Sequence, residues 1–183
     1  MKAGGGKIKG NSFQWKIAKL LSLWYSEQKR DDIFIPTGSS GARATQRRKL
    51  GKTTQNQGGD ITSVDPEGFA FIKNFSIECK FYKKVNFNSL IYNKPNELFY
   101  WWDQTNRDAD RDNKNPLLIM KQNGLSEIII FSKNLYIKKL ENYCGNIDNF
   151  LNTKSYINGD LVIIMLLSDF FNYCNPNINY EAN

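Results

Sequence analysis

Apolar and polar residues alternate without interruption over one short stretch near the middle of the chain. The apolar positions are Phe75, Ile77, Cys79 and Phe81, and the polar positions between them are Ser76, Glu78 and Lys80. A period of two predicts a β-strand with one buried face. Glu78 and Lys80 therefore point to the same side of this strand, whereas Cys79 points into the core.

A second short strand is predicted over residues 60–64, headed by Asp60. The turn sequence Asp65-Pro66-Glu67-Gly68 follows it and reverses the chain. Such a reversal can bring Asp60 beside Glu78. Two carboxylates and a lysine at one place suit a hard, oxygen-binding cation such as Mg²⁺, together with a group that orients or deprotonates a water.

Helical spacing of apolar residues predicts a first helix that is capped by Asn11 or Ser12 and runs to about Gln28. Its apolar positions are Phe13, Ile17, Leu20, Leu21 and Trp24. Gln14 lies at the edge of this buried face. It is predicted either as a plain boundary residue or as a side chain that reaches the carboxylate site.

Asn96 is predicted to cap a second helix over residues 97–112, in which Gln104 shares a face with Trp101 and Asp108. Further strands are predicted at 33–35, 117–120, 128–131 and 161–167, and a short last helix begins near Asp169. Strands mixed with two long helices predict an α/β layered domain. We expect a mobile N-terminus over 1–10, a single domain over 11–171 and an Asn-rich tail over 172–183.

Composition agrees with one globular domain. The chain has 183 residues, of which 40% are hydrophobic and 14% aromatic. The longest apolar run, residues 161–167, is too short to span a bilayer, and residues 1–6 lack the apolar core of a signal peptide. Three cysteines, far apart in sequence, predict neither a disulfide framework nor a zinc site, as in a reducing cytoplasm.

The chain contains no histidine. This excludes Ser-His-Asp and Cys-His triads, HNH-type nuclease sites and His-ligated zinc hydrolases. Any hydrolysis must therefore use carboxylates, lysine, tyrosine, serine or a metal-bound water, which favours a site at Asp60, Glu78 and Lys80.

The net charge of +7 is unevenly distributed along the chain. Residues 1–139 carry 24 basic and 13 acidic side chains, whereas residues 140–183 carry one basic and five acidic ones. A polar loop over 37–59 holds basic residues and no acidic one, so it is either a solvated basic loop or a surface for a polyanion such as DNA. Its predicted DNA contacts are Ser39, Ser40, Arg43, Thr45, Arg47, Arg48, Lys49 and Lys52.

These residues together resemble the PD-(D/E)XK nuclease superfamily, and within it small phage-encoded endonucleases and Holliday-junction-resolvase-like proteins. The resemblance runs from about Gly10 to Phe171. It rests on Phe13-Gln14-Trp15-Lys16-Ile17-Ala18-Lys19-Leu20, Ser39-Ser40-Gly41-Ala42-Arg43-Ala44-Thr45, Gly58-Gly59-Asp60-Ile61, Ile77-Glu78-Cys79-Lys80, and Trp102-Asp103-Gln104 with Asp108-Ala109 leading to Pro116-Leu117-Leu118-Ile119. It implies a restriction-endonuclease-like mixed β-sheet flanked by helices.

The resemblance also implies roles for the site residues. Asp60 and Glu78 would bind Mg²⁺, for which Mn²⁺ can substitute, with the Cys79 main-chain carbonyl as a further ligand. Lys80 would position or activate the attacking water, and Gln14 and Gln104 are placed with the catalytic residues. Many relatives have a glutamate where this chain has Gln14, and an amide supplies no charge to the metal. The substrate would be duplex or branched DNA in a bacterial host cytoplasm, with no membrane partner, and the protein could form a homodimer.

Two other classes of function remain open from the sequence. One is a non-catalytic DNA-binding or recombination-accessory protein on the same fold, with its site altered at Gln14. The other is a basic structural protein of a phage particle or replisome, in which Asp60, Glu78 and Lys80 form only a surface salt bridge. A fold by itself does not choose among these.

Overall fold

The computed structural model describes residues 5–38, 58–92, 94, 96–135 and 152–174. The helices in these ranges are α1 (Gly5–Tyr25), α2 (Phe69–Asn74), α3 (Asn88–Ile91), α4 (Glu97–Arg111), α5 (Lys133–Leu135) and α6 (Leu167–Tyr173). The strands are β1 (Phe34–Pro36), β2 (Ile61–Ser63), β3 (Phe75–Tyr82), β4 (Asn115–Gln122), β5 (Ile128–Ser132), β6 (Asn152–Ile157) and β7 (Asp160–Leu166).

Within the described residues, five of these strands form one mixed sheet in the order β3-β4-β5-β7-β6. β3 and β4 are parallel, and each later pair of neighbours is antiparallel. β1 and β2 form a separate antiparallel ribbon, in which Ile35 pairs with Thr62. β3 is therefore an edge strand of the main sheet, with one side of its backbone available to another segment.

Helices pack on both faces of the sheet. On one face, α1 contributes Ile17 and Leu21 to a core that includes Ile77, Cys79, Ile119 and Phe131. On the other face, α4 contributes Leu98 and Trp102 to a core with Leu118, Ile130 and Val162. The predicted α/β layered architecture is thus confirmed.

Helix α4 begins where the sequence predicts. The Asn96 side chain accepts hydrogen bonds from the backbone N–H groups of Leu98 (2.9 Å) and Phe99 (3.3 Å), so it satisfies two donors that have no partner inside the helix. Trp101 and Trp102 are buried. The position of this helix matters for function because it covers the face of β3 that carries Glu78.

Several boundaries and elements differ from the sequence predictions. α1 begins at Gly5, ahead of the predicted cap at Asn11 or Ser12, and ends at Tyr25. The chain does not pass directly from the turn at 65–68 into β3, because α2 lies between them. The edge strand β6 has no counterpart among the predicted strands.

The cysteines also differ from the prediction. Cys174 is disulfide-bonded, a bond that the sequence analysis did not predict when it expected neither a disulfide framework nor a zinc site. Cys79 is a free, buried thiol. Distance along the sequence says little about distance in space, which is why the spacing of the cysteines was a poor guide.

None of the helices in the described part of the chain is both long enough and apolar enough to cross a membrane.

Candidate active site

The site is built on the free edge of β3. The backbone N–H of Asp60 donates to the carbonyl of Ile77 (2.6 Å), and the N–H of Cys79 donates to Oδ2 of Asp60 (2.9 Å). The segment just before β2 thus pairs with the β3 edge through main chain and side chain alike. These two bonds place the Asp60 carboxylate next to the start of the Glu78-Cys79-Lys80 run, as the sequence predicted.

The Gly58-Gly59 pair allows this close approach. Gly59 has φ +81°, a left-handed conformation that side chains disfavour. A Cβ atom at this position would lie 2.6 Å from the Ile77 carbonyl oxygen and 2.8 Å from the Ile77 nitrogen. At Gly58, a Cβ atom would meet the Asp112 side chain. The two glycines therefore let the segment lie directly on β3 before Asp60.

Glu78 and Lys80 project from the other face of β3, toward α4. The Lys80 Nζ donates to Glu78 Oε1 at 2.6 Å and to Gln104 Oε1 at 3.2 Å. The Gln104 Nε2 donates to the same Glu78 oxygen at 3.2 Å. The amide of Gln104 thus contacts both charged groups, which confirms that these three side chains lie together.

Burial and repulsion between carboxylates shape the protonation of the site. Burial, with Asp60 and Asp108 adding repulsion, raises the pKa of Glu78 to about 7 despite the nearby Lys80. Burial also raises the pKa of Asp60, against the hydrogen bond from Cys79 and the attraction of Lys80. Burial lowers the pKa of Lys80, but Glu78 and Asp60 raise it by more, so Lys80 carries its proton.

The Cys79 thiol takes no part in this charge balance. Burial, followed by the charges of Asp60 and Glu78, raises its pKa well above the ordinary value. A neutral thiol is a poor ligand for a hard cation. Any ligand from Cys79 would therefore be its main-chain carbonyl, which is the group that the family resemblance implies.

Gln14 joins the site from α1. Its side chain hydrogen-bonds to the Asp60 carboxylate, which favours the ionised form of Asp60. This contact favours the prediction that Gln14 reaches the carboxylate site over the prediction of a plain boundary residue. Because β3 lies at the edge of the sheet, a side chain from the α1 face and side chains from the α4 face can reach the same place.

Asp108 is a site residue that the sequence analysis left out of its candidates. Its charge raises the pKa of both Asp60 and Glu78. It also forms an ion pair with Arg111. The available signal was its spacing from Gln104, since residues four apart share one face of a helix.

The predicted DNA contacts Ser39, Ser40, Arg43, Thr45, Arg47, Arg48, Lys49 and Lys52 lie outside the described residues.

The donor set fits a hard divalent cation. Among the described residues, no three His, Cys, Asp or Glu side chains form a cluster that could hold a metal ion. Asp60 and Glu78 offer two carboxylates, and their mutual repulsion is what a divalent cation would relieve. The remaining oxygen donors would come from the Gln14 amide, the Cys79 carbonyl and water. Mg²⁺ commonly keeps several waters and uses only one or two carboxylates.

A family model described as "Phage putative PDDEXK endonuclease" matches residues 5–178. The chain belongs to this family. The match contains every residue of the site described above, from Gln14 on α1 to Asp108 on α4. No curated protein and no solved structure matches the chain.

Membership of the phage PD-(D/E)XK endonucleases accounts for the architecture. A five-stranded mixed sheet with helices on both faces is the restriction-endonuclease-like fold that the sequence resemblance implied. The sequence resemblance implied that the letters of the family name correspond to Asp60, Glu78 and Lys80, with Gly59 in place of the proline. The structure brings Glu78 and Lys80 into direct contact and holds Asp60 beside them.

Proposed function

We propose that this chain is a DNA endonuclease that hydrolyses phosphodiester bonds and requires Mg²⁺, for which Mn²⁺ can substitute. One observation carries the proposal. Two carboxylates, the partly buried Asp60 and the buried Glu78, meet at one strand edge, and the Lys80 ammonium lies 2.6 Å from Glu78 Oε1. Two carboxylates that resist being ionised together when no cation is bound are suited to hold a cation, because the cation offsets their repulsion.

Some residues of the site would hold the cation, and others would orient the attacking water and the neighbouring side chains. Asp60 and Glu78 would hold the cation, which supplies charge stabilisation for the phosphoryl oxygen and the leaving oxygen when bound. Lys80, 2.6 Å from Glu78 Oε1, would position or activate the attacking water beside the cation. Gln104 keeps the Lys80 and Glu78 side chains in place through its two hydrogen bonds.

The substrate proposed is the DNA of a phage during recombination, repair or processing, in the manner of Holliday-junction resolvases. The net charge of +7 and the basic residues between positions 43 and 52 favour binding to a polyanion. The described residues contain no helix-turn-helix that is separate from the nuclease fold.

Gln14 is the reason to keep a second candidate, a DNA-binding accessory protein without cleavage activity. Gln14 bonds to Asp60 but adds no negative charge to the metal site. One assay separates the two candidates. The wild-type protein is incubated with linear, nicked, flapped and four-way DNA in Mg²⁺, Mn²⁺ or EDTA. Metal-dependent cutting of any of these supports the endonuclease, and binding without cutting of any of them supports the accessory protein.

A further inference from the structure

The lysine of the site is not placed to bind the DNA backbone. The Lys80 ammonium donates to Glu78 Oε1 and to Gln104 Oε1, at 2.6 and 3.2 Å. The charges of Glu78 and Asp60 both act on this ammonium. A phosphodiester that approaches this site therefore meets the carboxylates of Asp60 and Glu78, and it needs a nearby cation that is not already held between them.

Arg111 is such a cation. Its Nη2 lies 2.7 Å from Oδ1 of Asp108, and 47% of its side chain is exposed to solvent. The residue after Arg111, Asp112, borders Gly58, because a Cβ atom on Gly58 would meet Asp112 Oδ2. The end of α4 that carries Arg111 therefore lies beside the segment that carries Asp60. Asp108 acts electrostatically on both Asp60 and Glu78. A guanidinium has five donors in a planar fork, so one contact with Asp108 leaves others that suit a phosphate.

We propose that Arg111 binds a backbone phosphate of the DNA strand that enters the site, and that Asp108 is the positioning residue that aims its guanidinium. This inference rests on the proposed function, since it names how the same site meets its substrate. An arginine suits this role because its planar guanidinium can form two parallel hydrogen bonds to one phosphate, which fix the orientation of the phosphate as well as its distance.

A plain structural role is the competing explanation. Arg111 is in the last turn of α4, where a cation favours the helix dipole, and an i,i+3 ion pair can support a helix without any ligand. The same helix offers a matched control. Arg107 pairs with Asp103 at i,i+4, and 55% of its side chain is exposed. Arg107 pairs with Asp103 and Arg111 with Asp108, so the Arg107 guanidinium is held by a different carboxylate from the one that acts on Asp60 and Glu78.

The experiment compares Arg111→Gln, Arg111→Lys and Arg107→Gln with the wild type. Binding to a four-way and a linear DNA is measured in EDTA over a range of salt concentrations, cleavage kinetics are measured in Mg²⁺, and thermal unfolding is followed for each variant. We expect Arg111→Gln to weaken binding about tenfold and to reduce the salt slope by about one. KM should rise more than kcat falls. Arg111→Lys should restore the slope but only part of the affinity, and Arg107→Gln should stay within about twofold of wild type.

The outcomes keep this inference separate from the proposed function. If the wild type binds DNA but cuts none, the endonuclease proposal fails, and the salt slopes still decide the role of Arg111. Equal slopes for Arg111→Gln, Arg107→Gln and wild type would overturn the inference, with or without a change in thermal stability. A wild-type protein that binds no DNA would overturn both.

Discussion

Glu78 is a carboxyl group whose ionisation is opposed by its surroundings. Burial and the charges of Asp60 and Asp108 raise its pKa to about 7. Asp60 shifts in the same direction for the same main reason. The two acids form a pair, and a proton bound to this pair has to leave before a divalent cation can be held by both carboxylates.

The metal requirement should therefore depend on pH. Below a pH of about 7 the Glu78 pair retains a proton, so Mg²⁺ must displace it, and above that pH it need not. We expect the Mg²⁺ concentration for half-maximal cleavage to fall about tenfold per pH unit as the pH rises toward 7, and then to level off. DNA binding in EDTA at each pH is the control. A metal requirement that is constant from about pH 6 to about pH 8 would contradict the assignment of this pair.

Gln14 should set how tightly the site holds its metal. Its amide already bonds to Asp60, so Gln14→Glu places a third carboxylate at the same position. We expect Gln14→Glu to lower the half-maximal Mg²⁺ concentration by about tenfold, and Gln14→Ala to slow cleavage by roughly three- to tenfold with little loss of stability. Gln28→Glu adds the same charge beyond the end of α1, about 20 Å away along the helix, and serves as the control. Superimposable Mg²⁺ titrations for the wild type and both Gln14 variants would remove this residue from the site.

Predictions for single residues succeeded where a local sequence pattern determines the direction in which a side chain points. Period-two alternation was enough to place Glu78 and Lys80 on one face and Cys79 on the other. The electrostatic effect of Asp108 on the site could not be predicted in this way, because the distance between Asp108 and Asp60 depends on how α4 packs across the sheet. The raised pKa values of Asp60 and Glu78 could not be predicted from the sequence either, because burial depends on the tertiary structure.

At the scale of elements, the site depends on a segment that behaves like an extra strand. Residues 58–60 bond to the β3 edge through Ile77 and Cys79, and Gly59 makes the contact possible at φ +81°. An edge strand with an unpaired backbone would otherwise be open to pairing with another chain. The same contacts thus close the edge and position the Asp60 carboxylate.

Gly59→Ala should damage this arrangement. The added Cβ would lie 2.6 Å from the Ile77 carbonyl oxygen, so the segment that carries Asp60 must move away from β3. We expect cleavage to fall more than about a hundredfold and the free energy of unfolding to fall by roughly 2–4 kcal/mol. Cleavage rates and thermal unfolding measure the two effects.

Gly124→Ala is the matched control for this prediction. Gly124 has a similar φ of +76°, but its added Cβ would meet nothing within 4 Å. It should cost only the backbone strain, about 1–2 kcal/mol, and leave cleavage unchanged. If Gly59→Ala cut DNA as well as Gly124→Ala does, close packing of Gly59 on β3 would not be what positions Asp60.

Elements with strong local signals were predictable, and short or exposed ones were not. The capping residue and the apolar spacing of α4 predicted the first residue of this helix correctly. The strand β6 is Asn-Thr-Lys-Ser-Tyr-Ile, a polar sequence at the outer edge of the sheet that has no alternating pattern. Helix α2 has six residues, too few to show a helical period before the chain continues into β3.

At the scale of the whole molecule, charge separates the chain into two parts. The 24 basic and 13 acidic residues before position 140 contrast with one basic and five acidic residues after it. The site and the basic loop both fall in the positive part. A field of this kind steers DNA toward one side of a protein and falls with ionic strength.

Neutralising the basic loop should test where DNA is held. Replacing Arg43, Arg47 and Arg48 together with glutamine should weaken binding to all DNA sequences alike. The salt dependence should become flatter by about one unit for each phosphate that the variant no longer binds. Filter binding or fluorescence anisotropy over a series of salt concentrations measures both quantities.

A triple variant with the same change of charge elsewhere is the control. It replaces the exposed residues Lys29, Lys73 and Lys154 with glutamine. If the salt slope fell equally in both triple variants, the effect would come from net charge and not from the loop. An unchanged slope for the loop variant would place the DNA on another surface.

The arrangement of layers could be predicted from mixed strand and helix patterns, but the sheet order could not. The parallel pairing of β3 with β4 depends on α4 crossing between them, and the local sequence does not state which strands become neighbours. The disulfide at Cys174 was missed for a similar reason.

The central claim is that Asp60 and Glu78 together form a metal-dependent site for phosphodiester hydrolysis. The most direct measurement is single-turnover cleavage by Asp60→Ala and Glu78→Ala in Mg²⁺ or Mn²⁺, with DNA binding in EDTA measured alongside. Asp103→Ala, an acidic residue of α4 paired with Arg107, is the control. We predict that both site variants cut DNA at least about a thousandfold more slowly than wild type while binding it within about threefold, and that Asp103→Ala cuts normally. Cleavage at the wild-type rate by either site variant would contradict the claim.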